Sequence, residues 1–260
     1  MTPRDLLRTA AQGTLDAMLA LALAPVCASC AQPLPSPRLG PVCASCWDSV
    51  RRPPPPLCRT CGVPLPSWRV LSPAFERCVR CRRIPPQIDA ACAAGRYEGA
   101  LRDIIHAFKY EGRRTLAGPL GRLMREAAGP LLSEAACVVP VPLHPWRRLR
   151  RGFNQAADLA ATFELPVVSA LARTRATASQ SGLTAAARRR NVRGAFRPSR
   201  RCRPRTMTSL VRDRVVVLVD DVRTTGATLD ACAGVLKQAG AREVRALTVA
   251  YAELRGEAAR

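Results

Sequence analysis

The sequence predicts an α/β fold, in which a mainly parallel sheet with helices between its strands follows a small cysteine-rich module. Three observations carry this prediction. Residues 215–219 are five consecutive large apolar side chains, almost all β-branched, a run too short for a self-standing helix and suited to a strand covered on both faces. That run ends in Asp220 and Asp221, a loop of small residues, and a helical pattern with Leu229, Cys232, Ala233 and Leu236 on one side. Finally, eight cysteines fall as four Cys-x-x-Cys pairs in residues 27–81, a stretch that also holds eleven prolines.

Residues 1–25 read as an amphipathic helix with Leu6, Leu7, Leu15, Met18, Leu19 and Leu23 on a broad apolar face, weakened at Gly13. The apolar stretch 17–26 is about half the ~20 residues a membrane span requires. Asp16 borders it, so a secretory signal is not expected and the protein reads as cytoplasmic.

The stretch 27–81 has few apolar side chains beyond Trp47, Leu57, Trp68 and Phe75 and could hardly build a core unaided. Its cysteines answer that need. A Cys-x-x-Cys turn offers two thiolates to one metal, and two turns complete a closed tetrahedral site for structural zinc. Two such sites are expected, drawn from Cys27, Cys30, Cys43, Cys46, Cys58, Cys61, Cys78 and Cys81. Pairing neighbouring turns gives two tandem zinc ribbons, and spacing alone also permits an interleaved pairing. Disulfides would require an oxidising compartment, and iron–sulfur ligation is the remaining alternative. The expected division is 1–86 for the N-terminal helix and double ribbon and 87–260 for the α/β domain.

From residue 87 a globular pattern begins. Residues 90–97 read as a strand, followed by a helix with Leu101, Ile104, Ile105 and Phe108 on one stripe and His106 opposite it in solvent. Lys109 or Arg113 could reach an anion, with solvation the plainer expectation for each. A second helix turns Leu116, Leu120, Leu123, Met124 and Ala127 inward and stops at Gly129-Pro130. Residues 137–141 form the next short strand, and they lead into a loop with His144, Arg147, Arg148, Arg150 and Arg151. In a parallel sheet that loop lies on the ligand-binding side. Residues 173–183 and 187–196 alternate small, polar and cationic residues, as a mobile lid or a disordered loop would. Residues 197–214 are expected as a solvated basic loop in which Cys202 binds no metal. Gly240 should cap the helix that follows Asp221, and 243–251 form a last strand.

The loop after Asp221 reads Val222, Arg223, Thr224, Thr225, Gly226, Ala227 and Thr228. Backbone N–H groups and hydroxyls with no bulky side chain in the way, backed by a helix N-terminus, suit a phosphate. Two carboxylates beside that anion suit a ligand that also carries hydroxyls or Mg²⁺. A sugar phosphate with a diol and a metal-bound pyrophosphate satisfies both. This stretch resembles the phosphoribosyl pyrophosphate (PRPP) motif of type I phosphoribosyltransferases, with Arg223 where that family usually has an apolar residue. PVPLHPxRxxxRGFNQA, RTRxTxSQxxL, RxxNVxGAF and VDDVxTTGAT, in that order after four Cys-x-x-Cys pairs, are similar to the competence protein ComF family.

The resemblance implies that Asp220 and Asp221 hold the ribose hydroxyls and that Thr224, Thr225, Gly226, Ala227 and Thr228 cradle the 5′-phosphate. His144, Arg147 and Arg151 would face the pyrophosphate of Mg-PRPP, and two structural zinc ions would hold the ribbons. It also implies a role in DNA uptake during natural transformation, with competence-machinery proteins as partners. The alternative is a phosphoribosyltransferase of nucleotide metabolism that acts on a nucleobase-like acceptor.

Composition bears on the DNA reading. The formal charge is +22, lowered to about +18 by eight thiolates and two Zn²⁺, and such a surface attracts polyanions. Aromatic residues make up only 4%, so no stacking platform is evident and any single-stranded DNA contact should be electrostatic. A solvated arginine-rich surface is the plainer reading of the same charge.

Overall fold

A buried strand needs neighbours on both edges and cover on both faces, and residues 215–219 have all four. The computed structural model describes residues 21–66, 76–175 and 192–253 together with Asp16, Met18, Ala187 and Arg190. Its main sheet holds four parallel strands: β1 (Ala90–Arg96), β2 (Ala135–Pro140), β5 (Val215–Arg223) and β6 (Glu243–Tyr251), in the order β1-β6-β5-β2. Along β5 the period of two sends Val217 and Val219 into one core cluster and Val216 and Leu218 into the other. That alternation explains why the run is apolar throughout.

One face is covered by α3 (Gly99–Tyr110) and α4 (Ala117–Ala128), whose Leu101, Ile104, Ile105, Phe108, Leu120 and Met124 are fully buried. The other is covered by α8 (Ala227–Gln238) through Leu229, Cys232, Ala233 and Leu236. Gly240, at φ +95°, takes the left-handed position after α8, and β6 follows at once. Strand β2 tolerates Pro140 because it is an edge strand. Residue 138 directs its N–H away from β5, to the Pro166 carbonyl, and residue 140, two further on, turns the same way, where no ladder donor is needed.

Two expectations change. The basic loop after β2 is a two-turn helix, α5 (Pro145–Arg151), with Pro145 at its first position and Gly152 closing it in the left-handed conformation. The stretch 197–214 is not wholly solvated. It completes a two-stranded antiparallel sheet, β3 (Leu171–Arg173) with β4 (Phe196–Pro198), and forms α7 (Pro204–Leu210). Val211 is buried, and Met207, Leu210 and Cys202 pack on the core. The helix expected over residues 1–25 lies mostly outside the described residues, as do Trp68 and Phe75.

The cysteine-rich residues fold onto the α/β sheet. Cys27, Leu34, Val42 and Cys46 join the same core as Ala94 and Leu101. The second group docks through Gly62, where a Cβ would lie 2.4 Å from the Ala91 carbonyl oxygen, and where φ is +65°. Only glycine satisfies both constraints. Gly62→Ala should therefore lower stability by ~1–3 kcal/mol, whereas Gly118→Ala, with open space around it, should be neutral or mildly stabilising. Urea unfolding of the metal-replete protein measures both, and equal midpoints for the two variants would refute the close docking.

Candidate functional site

The strand β5 continues through Arg223, so Asp220 and Asp221 still sit on pleated backbone and turn to opposite faces of the sheet. Asp221 faces α3, where its Oδ1 lies 2.8 Å from Lys109 Nζ, both side chains being largely covered. Asp220 faces α8 and β3, with Cys232 and Arg173 among its electrostatic neighbours. The Asp221 N–H donates to Asp220 Oδ1 at 2.9 Å. Burial and the charge of Asp221 push the Asp220 carboxyl up to about 7, against the opposing pull of that N–H, Lys109 and Arg173. The Lys109 ammonium is held above the ordinary lysine range: burial works against its charge, and Asp221 outweighs burial.

Beyond the pair the chain turns at Thr224, Thr225 and Gly226 into α8. Gly226 is the N-cap residue at φ 71° and has no side chain with which to cap the helix. Thr225 is buried, its hydroxyl accepting from the Ala227 N–H at 3.3 Å. A helix N-terminus entered through glycine presents backbone N–H groups beyond Ala227 and the positive dipole end to an anion. The loop is braced from outside. Arg80 in α2 (Val79–Arg83) donates to the Thr225 carbonyl, and the Gln87 N–H donates to Asp230 in the first turn of α8.

At the exit of β2, Asn154 ties the chain back to the Val141 carbonyl. His144 caps α5, its Nδ1 accepting from the Trp146 N–H at 3.3 Å. Arg151 lies 4.8 Å over the Tyr110 ring, beside Lys109, and Arg147 is an electrostatic neighbour of Arg173, which in turn neighbours Asp220. The C-terminal ends of β2 and β5 thus gather the carboxylates, the loop and a cationic flank on one edge. A larger cavity of about 570 Å³, at the start of β1 and β6 beside Asp89 and Glu243, lies at the opposite end. Residues 176–186, 188–189 and 191 of the expected lid lie outside the described residues.

Sequence reasoning missed two cations. Lys109 was expected in solvent, but it lies four residues after the fully buried Ile105 and so borders the buried stripe of α3. Arg173 reads as part of the lid in the sequence, yet it shares one face of β3 with Leu171 and both are buried. His106 is exposed as expected.

The cysteines gather as neighbouring pairs. Cys27, Cys30, Cys43 and Cys46 form one group and Cys58, Cys61, Cys78 and Cys81 the other, with all sulfurs of a group within 4.8 Å of one another. The Cys30–Cys43 and Cys61–Cys78 sulfur separations are both 3.7 Å. A tetrahedron built on ~2.3 Å Zn–S bonds has edges of about 3.8 Å, so the donor set fits Zn²⁺ and is far too open for disulfides. Cys43 and Cys78 donate backbone N–H to the Cys27 and Cys58 sulfurs at 3.4 and 3.3 Å, which suits thiolates. Sequential pairing is thereby settled, and Cys202 belongs to neither group.

The Phosphoribosyl transferase domain family matches residues 149–259. DNA utilization protein YhgH of Escherichia coli K12 is 34% identical over 180 residues, covering 65% of this chain and 74% of the relative. Competence protein F of Haemophilus influenzae is 32% identical over 187 residues, covering 68% and 79%. The chain belongs to the ComF family. Within this ComF-family chain the matched domain includes both carboxylates and the whole of the loop that follows them. A solved structure of the allosteric regulatory enzyme of purine biosynthesis aligns at TM-score 0.36 and 22% identity, over 56% of this chain and 30% of its own. Among the described residues no helix is long and apolar enough to cross a membrane.

The buried acid makes a pH prediction. A carboxyl whose folded pKa is raised contributes stability at low pH that is lost as pH climbs from the unfolded value near 3.8 through about 7. Asp220→Asn removes that loss, so its stability relative to the parent should rise between pH 5 and pH 8, by about 2.5–3 kcal/mol, because only the part of the titration between pH 5 and about 7 falls in that range. Urea midpoints at the two pH values test this; a difference from the parent that does not change with pH would contradict it.

Proposed function

We propose that the protein binds Mg²⁺-PRPP at the C-terminal edge of its parallel sheet and works in the handling of DNA during its uptake or use. The observation that carries this reading is the junction of two part-buried carboxylates with a helix N-terminus entered through glycine. In this arrangement Asp220 and Asp221 would accept hydrogen bonds from the ribose hydroxyls, and Lys109 would hold Asp221 in place for that contact. The N–H groups and hydroxyls of Thr224, Thr225, Gly226, Ala227 and Thr228 would surround the 5′-phosphate. Arg147 and Arg151, on α5, supply the positive flank that a pyrophosphate needs, and His144 at the helix cap would offer its Nε2 side as a hydrogen-bonding partner. Mg²⁺ would neutralise pyrophosphate oxygens when bound.

The biological half of the reading rests on kinship. The relatives carry the names DNA utilization protein and competence protein F, which favours DNA and proteins of the competence machinery as partners. The two cysteine groups, filled with zinc, fit a reducing cytoplasm, in a chain organised as 1–86 and 87–260. A second reading, favoured by the match of residues 149–259 to a transferase domain, is phosphoribosyl transfer to a nucleobase-like acceptor. Displacing pyrophosphate places positive charge on the ribose ring and negative charge on the leaving group. The carboxylates and the cationic flank have the right signs for both.

Calorimetry with Mg²⁺ and PRPP tests the ligand. Asp221→Asn should weaken binding roughly ten- to a hundred-fold, the loss of a charge-assisted hydrogen bond of ~1.5–3 kcal/mol, while Arg205→Ala on the exposed side of α7 should leave it unchanged. Equal affinities for the two variants would remove PRPP from the account.

The basic surface is tested separately. If about five phosphates of single-stranded DNA lie along α5 and its surroundings, log affinity should fall against log salt with a slope near −3.5. Replacing Arg147, Arg148, Arg150 and Arg151 with Ala should reduce both affinity and slope, with little dependence on base sequence. A slope and affinity untouched by the fourfold change would leave DNA handling to partner proteins.

A further inference from the structure

The two cysteine groups differ in how much water can help them. In the first, Cys30 is exposed and Cys43 is half-buried, its sulfur 3.2 Å from the Ser45 hydroxyl. In the second, Cys58, Cys61 and Cys81 are all buried. A Zn²⁺ held by four thiolates carries a net charge of about −2, and a buried charge of that size requires a compensating partner. Arg223 is the one position at which the loop motif departs from the type I phosphoribosyltransferase pattern, and it is 4% exposed. Its Nε and Nη2 have no hydrogen-bond partner, and its guanidinium carbon stands 6.0 Å over the Tyr251 ring. A buried guanidinium with two idle nitrogens is expensive unless something negative lies near it.

The negative group is at hand. Arg223 lines one small cavity, about 40 Å³, together with Cys61, Cys81, Arg80 and Thr225, and its charge acts on Cys61. Arg80, the other cation lining that cavity, spends a guanidinium N–H on the Thr225 carbonyl. The same cavity therefore joins the second thiolate group to the loop that precedes α8.

We propose that Arg223 is the buried counter-cation of the second zinc tetrathiolate, and that through Arg223 and Arg80 the metal in that group holds the phosphate-binding loop in place. This rests on the zinc reading of the cysteine groups and reaches beyond it, because it makes zinc at one site a determinant of order at another. Arg223 is a positioning residue in this account, acting on the loop through the metal centre and not on the ligand.

The test uses the full chain, zinc-loaded, with Arg223→Met to remove the charge at similar length and Arg223→Lys to restore it. Timed cysteine alkylation in the presence of a zinc chelator, read by mass spectrometry, assigns metal loss to each group. Arg223→Met should accelerate alkylation of Cys58, Cys61, Cys78 and Cys81 about ten- to a hundred-fold, as loss of an outer-shell partner typically does to metal affinity. The cysteines of the first group should react as in the parent, and Arg223→Lys should recover most of the protection. Amide exchange at 224–228, measured without PRPP, should speed up in Arg223→Met alone. Unchanged rates in both groups, equal acceleration in both, or no rescue by lysine would overturn the proposal while leaving zinc binding intact. A parent chain that retains no zinc in the second group would overturn it together with the zinc reading.

Discussion

Two adjacent carboxylates at the end of a buried strand repel each other and lose water, and the structure around β5 is arranged to make their presence tolerable. The strand pleat sends them to opposite faces, so each is met by a different layer. Lys109 reaches Asp221 from α3 at 2.8 Å, and Arg173 neighbours Asp220 from β3. Breaking a buried pair of this kind by removing one partner typically costs ~3–5 kcal/mol, which makes Lys109 as much a part of the site as the acids. What remains uncompensated is the raised affinity of Asp220 for a proton. A ligand that donates hydroxyl hydrogens there would relieve it.

The cysteine groups extend this logic outward. A short proline-rich segment gains little from burial alone, and zinc in its two cysteine groups would supply what the small core lacks. The first group closes the core beneath α3, joining Cys27 and Cys46 to Leu101. The second stands against the loop before α8 and holds it through Arg80 and Gln87. In this arrangement the two cysteine-rich stretches belong structurally to the α/β domain. One completes a hydrophobic face, and the other touches the loop through Arg80.

Much of this was legible in the sequence because its signals are local. The apolar run 215–219, the 3.6-residue stripes of α3, α4 and α8, and the spacing of the cysteines each specify their element without help from distant residues. β6 was read at its observed bounds for the same reason. The failures are long-range. That α5 is a helix depends on a Pro145 start, a Gly152 stop and the anchoring of Asn154 to Val141, and arginine content masked those signals. Lys109 and Arg173 look solvated until the carboxylates that draw them inward are brought near. Met207 and Val211 were overlooked because they lie in a basic stretch whose few apolar residues follow no long period. Arg223 departs from a motif in the sequence, and the cavity it shares with Cys61, Cys81 and Asp230 appears only once the chain is folded.

The central claim is that the loop from Asp220 through α8's first turn is a PRPP site. Amide hydrogen exchange of the zinc-loaded chain, with and without Mg²⁺-PRPP, tests it most directly. The account predicts protection concentrated at residues 220–230, with a smaller effect on α3 near Lys109. Protection confined to the opposite edge of the sheet, near Asp89 and Glu243, or none anywhere at saturating ligand, would contradict it.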